Sequence, residues 1–173
     1  HRPPPARKLD RVETFFASAE AVRVVLGPQD YAFAAAEIDT LPENVLKSHS
    51  IVVRQGLIDA LMPHAQALAL SDIDHFELPG HVLMPGLVNA HGHAGMTLLR
   101  GYADDMSLAS WLNDKIWPLE ARWVSPEFVR DGTDIAAAEM LLSGITTTSD
   151  MYFFPDIAAQ SLRAAGMRTQ LVF

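Results

Sequence analysis

The rhythm of apolar and polar positions changes twice along the chain, near Asp30 and near Pro85. Before the first change, Val12, Phe15, Phe16, Ala19, Val22 and Leu26 fall on one helical stripe. The spacing predicts a helix over 10–26, although "AVRVVLG" taken alone also fits a strand. From Tyr31 to Leu78 the segments shorten and lean towards β: "YAFAAAEI", "HSIVVRQGLIDALMP" and "HFELPGHVLMPG". Gly56 stands between two apolar stretches as a hairpin bend would, and one short helix is expected near "PHAQALAL". After Pro85-Gly86 comes an apolar strand, "LVNAH", and then long helical stretches. Ser107 can cap "LASWLNDKIW"; Ser125-Pro126 opens "PEFVRDGTDIAAAEMLLS" and Gly144 closes it. A strand "ITTTSDMYF", a helix "PDIAAQSLRAAG" ended by Gly166 and a strand "MRTQLVF" follow.

Strand, helix, strand, helix, strand is the rhythm of βαβ units, which build parallel sheets. Three parallel strands with two helices leave an open edge and cannot close on themselves, so the sequence reads as the first part of something larger. The resulting division is an N-terminal extension over 1–29, a small β-rich layer over 30–84 and a βαβαβ portion over 85–173. No internal repeat is visible, and "PPP" is the one low-complexity tract.

Composition narrows the partners. Of 173 residues, 49% are apolar, enough to build a core. Thirteen Lys and Arg against 21 Asp and Glu give a net charge of −8, the wrong sign for phosphate backbones or anionic membranes. No apolar run approaches the roughly 20 residues of a membrane helix, and "HRPPPARKLDRVE" puts charge where a signal peptide is apolar. A soluble, cytoplasmic protein is expected, with no nucleic-acid and no membrane partner. Without cysteine, any metal must be held by His and carboxylate.

The stretch "PGHVLMPGLVNAHGHAGMT" then carries the chemistry. On a strand, residues two apart point to one side, so His91 and His93 project together and can share one metal ion. Taken alone, such a pair is weak evidence for a metal and more often means two solvated or hydrogen-bonded imidazoles. It lies at the C-terminal end of its strand, where parallel α/β folds place their ligands, and Asp150 occupies the same end of the next strand. His49, His64, His75 and His81 share no face with the pair and are assigned ordinary hydrogen-bonding roles. Asp104 and Asp105 read as solvated loop charges.

The run from "LPGHVLMPGLVNAHGHAGMTLLRGYADDMSLASWLNDKIWPLEARWVSPEFVRDGT" through "AAAEMLLSGITTTSDMYFF" resembles the opening of the amidohydrolase superfamily. The likeness is to its branch of triazine hydrolases and methylthioadenosine and S-adenosylhomocysteine deaminases, from about Asp30 to Phe173. The resemblance implies a (β/α)8 barrel with a small β-sandwich built from the two chain ends, and one divalent metal ion, usually zinc. It implies that His91 and His93 are two of the ligands. It further implies hydrolytic deamination or dechlorination of a small nitrogen heterocycle by a metal-activated water. Glu120 in "WPLEAR" matches a glutamate that holds ribose hydroxyls in the branch's nucleoside deaminases; the alternative is a solvated glutamate at a helix end. Trp111 can wall the pocket, its flat face suiting a purine or triazine ring, and equally fits a core tryptophan. The family's metal carboxylate comes from its eighth strand, which leaves Asp150 to order the mouth by hydrogen bonds.

The family pattern is not complete here. The histidines of its fifth and sixth strands, the glutamate near the second of them and the aspartate of the eighth have no counterpart; neither His-x-x-Glu nor His-Glu-x-x-His occurs. Catalytic acid and base are therefore expected beyond residue 173, and these residues alone are expected to bind zinc weakly and turn over nothing. Some of the family's nucleoside deaminases carry an arginine near the end of the third strand, where Phe173 stands, which counts against an adenosine-type substrate. A competing expectation is a non-catalytic fragment that persists as a homo-oligomer paired across its open sheet edge. A phosphate-binding domain ranks last, because no Gly-rich loop follows any strand.

Overall fold

The computed structural model describes residues 7–8, 31–39 and 45–172, so the helix expected over 10–26 lies outside the described residues. They divide into two compact units, one running up to Leu87 and joined by Leu142–Thr146, the other comprising Val88–Leu141 and the residues from Thr147 on.

The first unit is a six-stranded sheet of β1 (Arg7–Lys8), β2 (Tyr31–Asp39), β3 (Val45–Lys47), β4 (His49–Arg54), β5 (Leu57–Pro63) and β6 (Asp74–Leu83). Its order is β1-β6-β2-β4-β5, with β3 also on β2. Strands β2 and β6 run parallel, and β4 is antiparallel to both β2 and β5. The β4–β5 hairpin turns through Gln55 and Gly56 at φ 50° and 79°. Two consecutive left-handed residues match the right-handed twist of the flanking strands, which is why glycine serves there. Helix α1 (His64–Ala67) follows at the expected place. Val52 and Ile73 centre a core completed by Ala60, Met62 and Leu70. The histidines of this unit bond locally: His49 Nδ1 with the Lys47 carbonyl at 2.7 Å, His64 Nδ1 with Ser50 Oγ at 3.1 Å, His75 Nε2 with the Leu70 carbonyl at 2.7 Å.

A three-stranded sheet, most of whose residues fall in the second unit, has the order β7 (Leu87–Gly92), β8 (Ile145–Asp150), β9 (Arg168–Leu171). Strands β8 and β9 are parallel, from Thr147 opposite Arg168 to Asp150 opposite Leu171. Past β7 a 3₁₀ turn (Ala94–Leu99) leads to α2 (Leu108–Trp111), whose cap Ser107 accepts the Ser110 N–H. The sequence predicts one helix from there. The structure inserts a π turn (Leu112–Ile116) before α3 (Trp117–Trp123), with the Trp117 N–H reaching back to the Leu112 carbonyl. Pro118 explains the difference: it has no N–H to donate, and its ring crowds the carbonyl one turn back, so the chain widens there.

Helix α4 (Pro126–Leu142) begins as its sequence dictates, with Ser125 Oγ accepting the Phe128 N–H at 3.1 Å. It buries Val129, Gly132, Thr133, Ala136 and Ala137, a stripe of mostly small side chains that permits close approach. Helix α5 (Pro155–Ala164) buries Ala158, Ser161 and Leu162. It ends at Gly166, φ 80°, with the Met167 N–H on the Leu162 carbonyl at 2.9 Å and the Gly166 N–H on the Arg163 carbonyl at 3.0 Å. This is the Schellman closure that a C-terminal glycine enables, and Met167 and Leu162, the positions where such a closure usually has an apolar contact, are both buried.

Candidate active site

All the candidate residues lie at one end of the three-stranded sheet and on the helices beyond it. Asn89 Oδ1 accepts the His91 backbone N–H at 3.2 Å near the end of β7. His91 and His93 then stand with ring centroids 4.9 Å apart and planes at 84°, so the spacing does bring the two imidazoles together. His93 Nδ1 is 2.6 Å from the Met151 carbonyl oxygen. A carbonyl only accepts, so Nδ1 carries the hydrogen and the lone pair of the neutral ring is on Nε2. The next peptide is held as well: the Ala94 N–H donates to Asp150 Oδ1 at 2.6 Å, and the Met151 N–H donates to the Gly92 carbonyl at 3.0 Å.

Asp150 is 1% exposed, and its Oδ2 has no hydrogen-bond partner among the described residues. Burial pushes its carboxyl above the usual range, against the opposing pull of the Ala94 N–H and of the positive charge that His93 and His91 can carry. The expected hydrogen bond at this end of the sheet is the one from the Ala94 N–H.

The second group of residues comes from the helices. Glu120, on α3, is 8% exposed, so it is not a solvated helix-end carboxylate. Its Oε1 accepts the Tyr152 hydroxyl at 2.8 Å. Burial, then the bond and the charge of Glu120, push the Tyr152 phenol upwards, so it stays a donor. Trp111 is partly buried and donates its Nε1–H to the Ala103 carbonyl at 3.0 Å, which fixes its ring. His91, His93, Trp111, Glu120 and Tyr152 line one cavity of about 640 Å³. Asp104 and Asp105 are exposed loop residues and do not line it.

Tyr152 and the Met151 carbonyl were not legible as site groups, because a tyrosine following a strand gives no spacing signal. The tight contacts around Gly95 were equally hidden. A Cβ on Gly95 would stand 2.6 and 2.8 Å from Tyr152 ring carbons, and one on Gly132 would overlap the Gly95 carbonyl oxygen.

The donor chemistry suits a divalent ion in part. A metal-binding imidazole ordinarily donates its other ring N–H to a carbonyl or carboxylate, which is what His93 does with Met151. A catalytic zinc usually takes three protein ligands, and among the described residues no group of three His, Asp or Glu is placed to hold a metal. The pair fits as part of a coordination shell. Among the described residues no helix is long and apolar enough to cross a membrane.

The chain is similar to several known proteins. A family model described as "Amidohydrolase family" matches residues 82–172. A 5-methylthioadenosine/S-adenosylhomocysteine deaminase of Teredinibacter turnerae is 48% identical over 147 residues, covering 83% of this chain and 33% of that protein. Among solved structures, a zinc-bound adenosine deaminase from Xanthomonas campestris is 39% identical with a TM-score of 0.68, over 82% of this chain and 33% of that one. An atrazine chlorohydrolase from Arthrobacter aurescens TC1, complexed with zinc, shares the fold at 23% identity and TM-score 0.70, over 82% of this chain and 35% of that one. The chain spans about a third of the length of the curated relatives it matches.

Proposed function

The chain belongs to the amidohydrolase family, and from that membership we propose that the whole protein is a zinc-dependent hydrolase that deaminates an aminopurine nucleoside. The observation that carries the reading is one cavity lined by two convergent imidazoles and a buried carboxylate, His91, His93 and Glu120. The deaminase names of the relatives support the substrate class. The departure at Phe173, which counts against adenosine, falls outside the described residues.

In this reading β7–β9 are the first three strands of a (β/α)8 barrel, residues 85–173 its first portion, 30–84 a sandwich layer and 1–29 an extension. His91 and His93 would hold the ion, and the ligands and catalytic acid that complete the site are sought in the two thirds that the relatives have and this chain does not. A zinc ion so held would supply hydroxide near neutral pH by lowering the pKa of its bound water to about 7. The chain's own residues do the positioning. Asp150 and the Met151 carbonyl fix the His93 backbone and ring, Trp111 offers a flat wall to the base, and Glu120 accepts from the vicinal hydroxyls of the ribose. We place the protein in the cytoplasm, with a small-molecule partner.

The test is elemental analysis of the complete native protein with an ultraviolet assay of adenosine, methylthioadenosine and aminotriazines. One equivalent of zinc and turnover of a nucleoside are expected, both lost in His91→Ala. A fully active, zinc-loaded His91→Ala protein sinks the proposal.

A further inference from the structure

Three consecutive residues, the last of β8 and the two that follow it, touch three different parts of the site. Asp150 Oδ1 takes the Ala94 N–H, the Met151 carbonyl takes the His93 Nδ1–H, and the Tyr152 hydroxyl reaches Glu120 Oε1 at 2.8 Å. The Glu120 side chain makes no other hydrogen bond among the described residues, so a single donor decides how its carboxylate is turned. That donor is itself held. The Tyr152 ring lies so close to Gly95 that a Cβ there would stand 2.6 Å from it, and Gly132 in turn leaves room for the Gly95 carbonyl. A ring backed this way cannot retreat without moving the turn or α4.

We infer that Tyr152 is a positioning residue: seated on Gly95, its hydroxyl occupies one oxygen of Glu120 and turns the other into the cavity, where it accepts from a vicinal diol. This rests on the role proposed for Glu120 and deepens it. A carboxylate free to rotate spreads its two acceptors over several directions, whereas one pinned at Oε1 offers Oε2 in one. The same segment fixes His93, so the distance from the metal-binding imidazole to the diol acceptor is set by residues 150–152.

The test compares adenosine with 2′,3′-dideoxyadenosine, which lacks the diol, on the complete zinc-loaded protein, by calorimetry and by steady-state kinetics. Tyr152→Phe should weaken adenosine roughly tenfold and leave the dideoxy ligand within about twofold, with the kinetic loss falling on KM more than on kcat. Glu120→Gln should erase the preference between the two ligands, and adding Tyr152→Phe to it should cost nothing further. Gly95→Ala, which keeps the hydroxyl and displaces the ring, should give the same selective loss and covers the case that Tyr152→Phe does not fold. Equal weakening of both ligands by Tyr152→Phe, or full additivity in the double variant, overturns the inference. A native protein that prefers adenosine but releases no ammonia overturns only the deaminase reading; one that binds both ligands equally overturns this inference.

Discussion

His93 donates its Nδ1–H to the Met151 carbonyl at 2.6 Å, so the ring at the end of β7 is oriented by the first peptide past β8. The bond fixes the tautomer and leaves the lone pair on Nε2, the atom that the proposed zinc site would use. Two amide replacements separate the nitrogens. His93→Gln reaches the former Nε2 position and should retain zinc, weakened at least tenfold to a hundredfold. His93→Asn stops near Nδ1, can keep the Met151 bond, and should bind none. Zinc titration against a competing chelator reads the difference, and the reverse order would show that Nδ1 is the ligand.

Asp150 supports the same turn from the backbone side. Replacing it with Ala leaves the buried Ala94 N–H without its acceptor, at a cost of about 1–3 kcal/mol. Asp150→Asn keeps an oxygen for that N–H and does not place a charge in a buried position. It should unfold in urea close to wild type, with Asp150→Ala clearly below both. Equal midpoints for the Ala and Asn variants would mean that the Ala94 bond contributes nothing.

How far the sequence alone could reach follows from the kind of interaction involved. Spacing was enough to bring His91 and His93 together, because side-chain direction on a strand is local geometry. The caps at Ser107 and Ser125 and the stop at Gly166 were legible for the same reason. Glu120 could be matched by resemblance, but its hydrogen-bond partner could not be read, since Tyr152 lies 32 positions away. Gly95 and Gly132 carry no pattern of their own; each is needed because of an atom from another segment. The π turn gives no such signal, since "LASWLNDKIW" reads as one regular helix that stops before Pro118.

At the surface, Arg100 grips Glu139 with two hydrogen bonds, Nη1 to Oε1 at 2.7 Å and Nη2 to Oε2 at 2.5 Å, fastening the end of the 3₁₀ turn to α4. The guanidinium holds the Glu139 carboxyl below its ordinary 4.5. A depressed carboxyl contributes stability that is present above the unfolded value and lost as pH falls through the lower folded value. Glu139→Gln should therefore lower the melting temperature slightly at pH 7 and make no difference in acid below that folded value. Both groups are largely exposed, so the drop at pH 7 should stay within about 2 °C and shrink with added salt. A difference that persists unchanged in acid would assign it to packing.

Gly132 gives the sharpest reversal of an ordinary rule. In a helix interior, Gly→Ala commonly stabilises by about 0.5–1 kcal/mol, because glycine loses more backbone freedom on folding. Here the added methyl would overlap the Gly95 carbonyl oxygen and stand 3.0 Å from its carbon, both backbone atoms that cannot swing aside. Gly95 has little room of its own, since the Tyr152 ring stands so near that a Cβ on Gly95 would lie 2.6 Å from it. The overpacking term of about 1–3 kcal/mol then outweighs the propensity gain, and Gly132→Ala should be the less stable protein in urea. The strain should also reach the site, because the turn it displaces is the one on which Tyr152 rests: adenosine affinity should fall with stability. A Gly132→Ala protein more stable than wild type would show that α4 can shift outward, and that the stack from Gly132 through Gly95 to Tyr152 is looser than its distances imply.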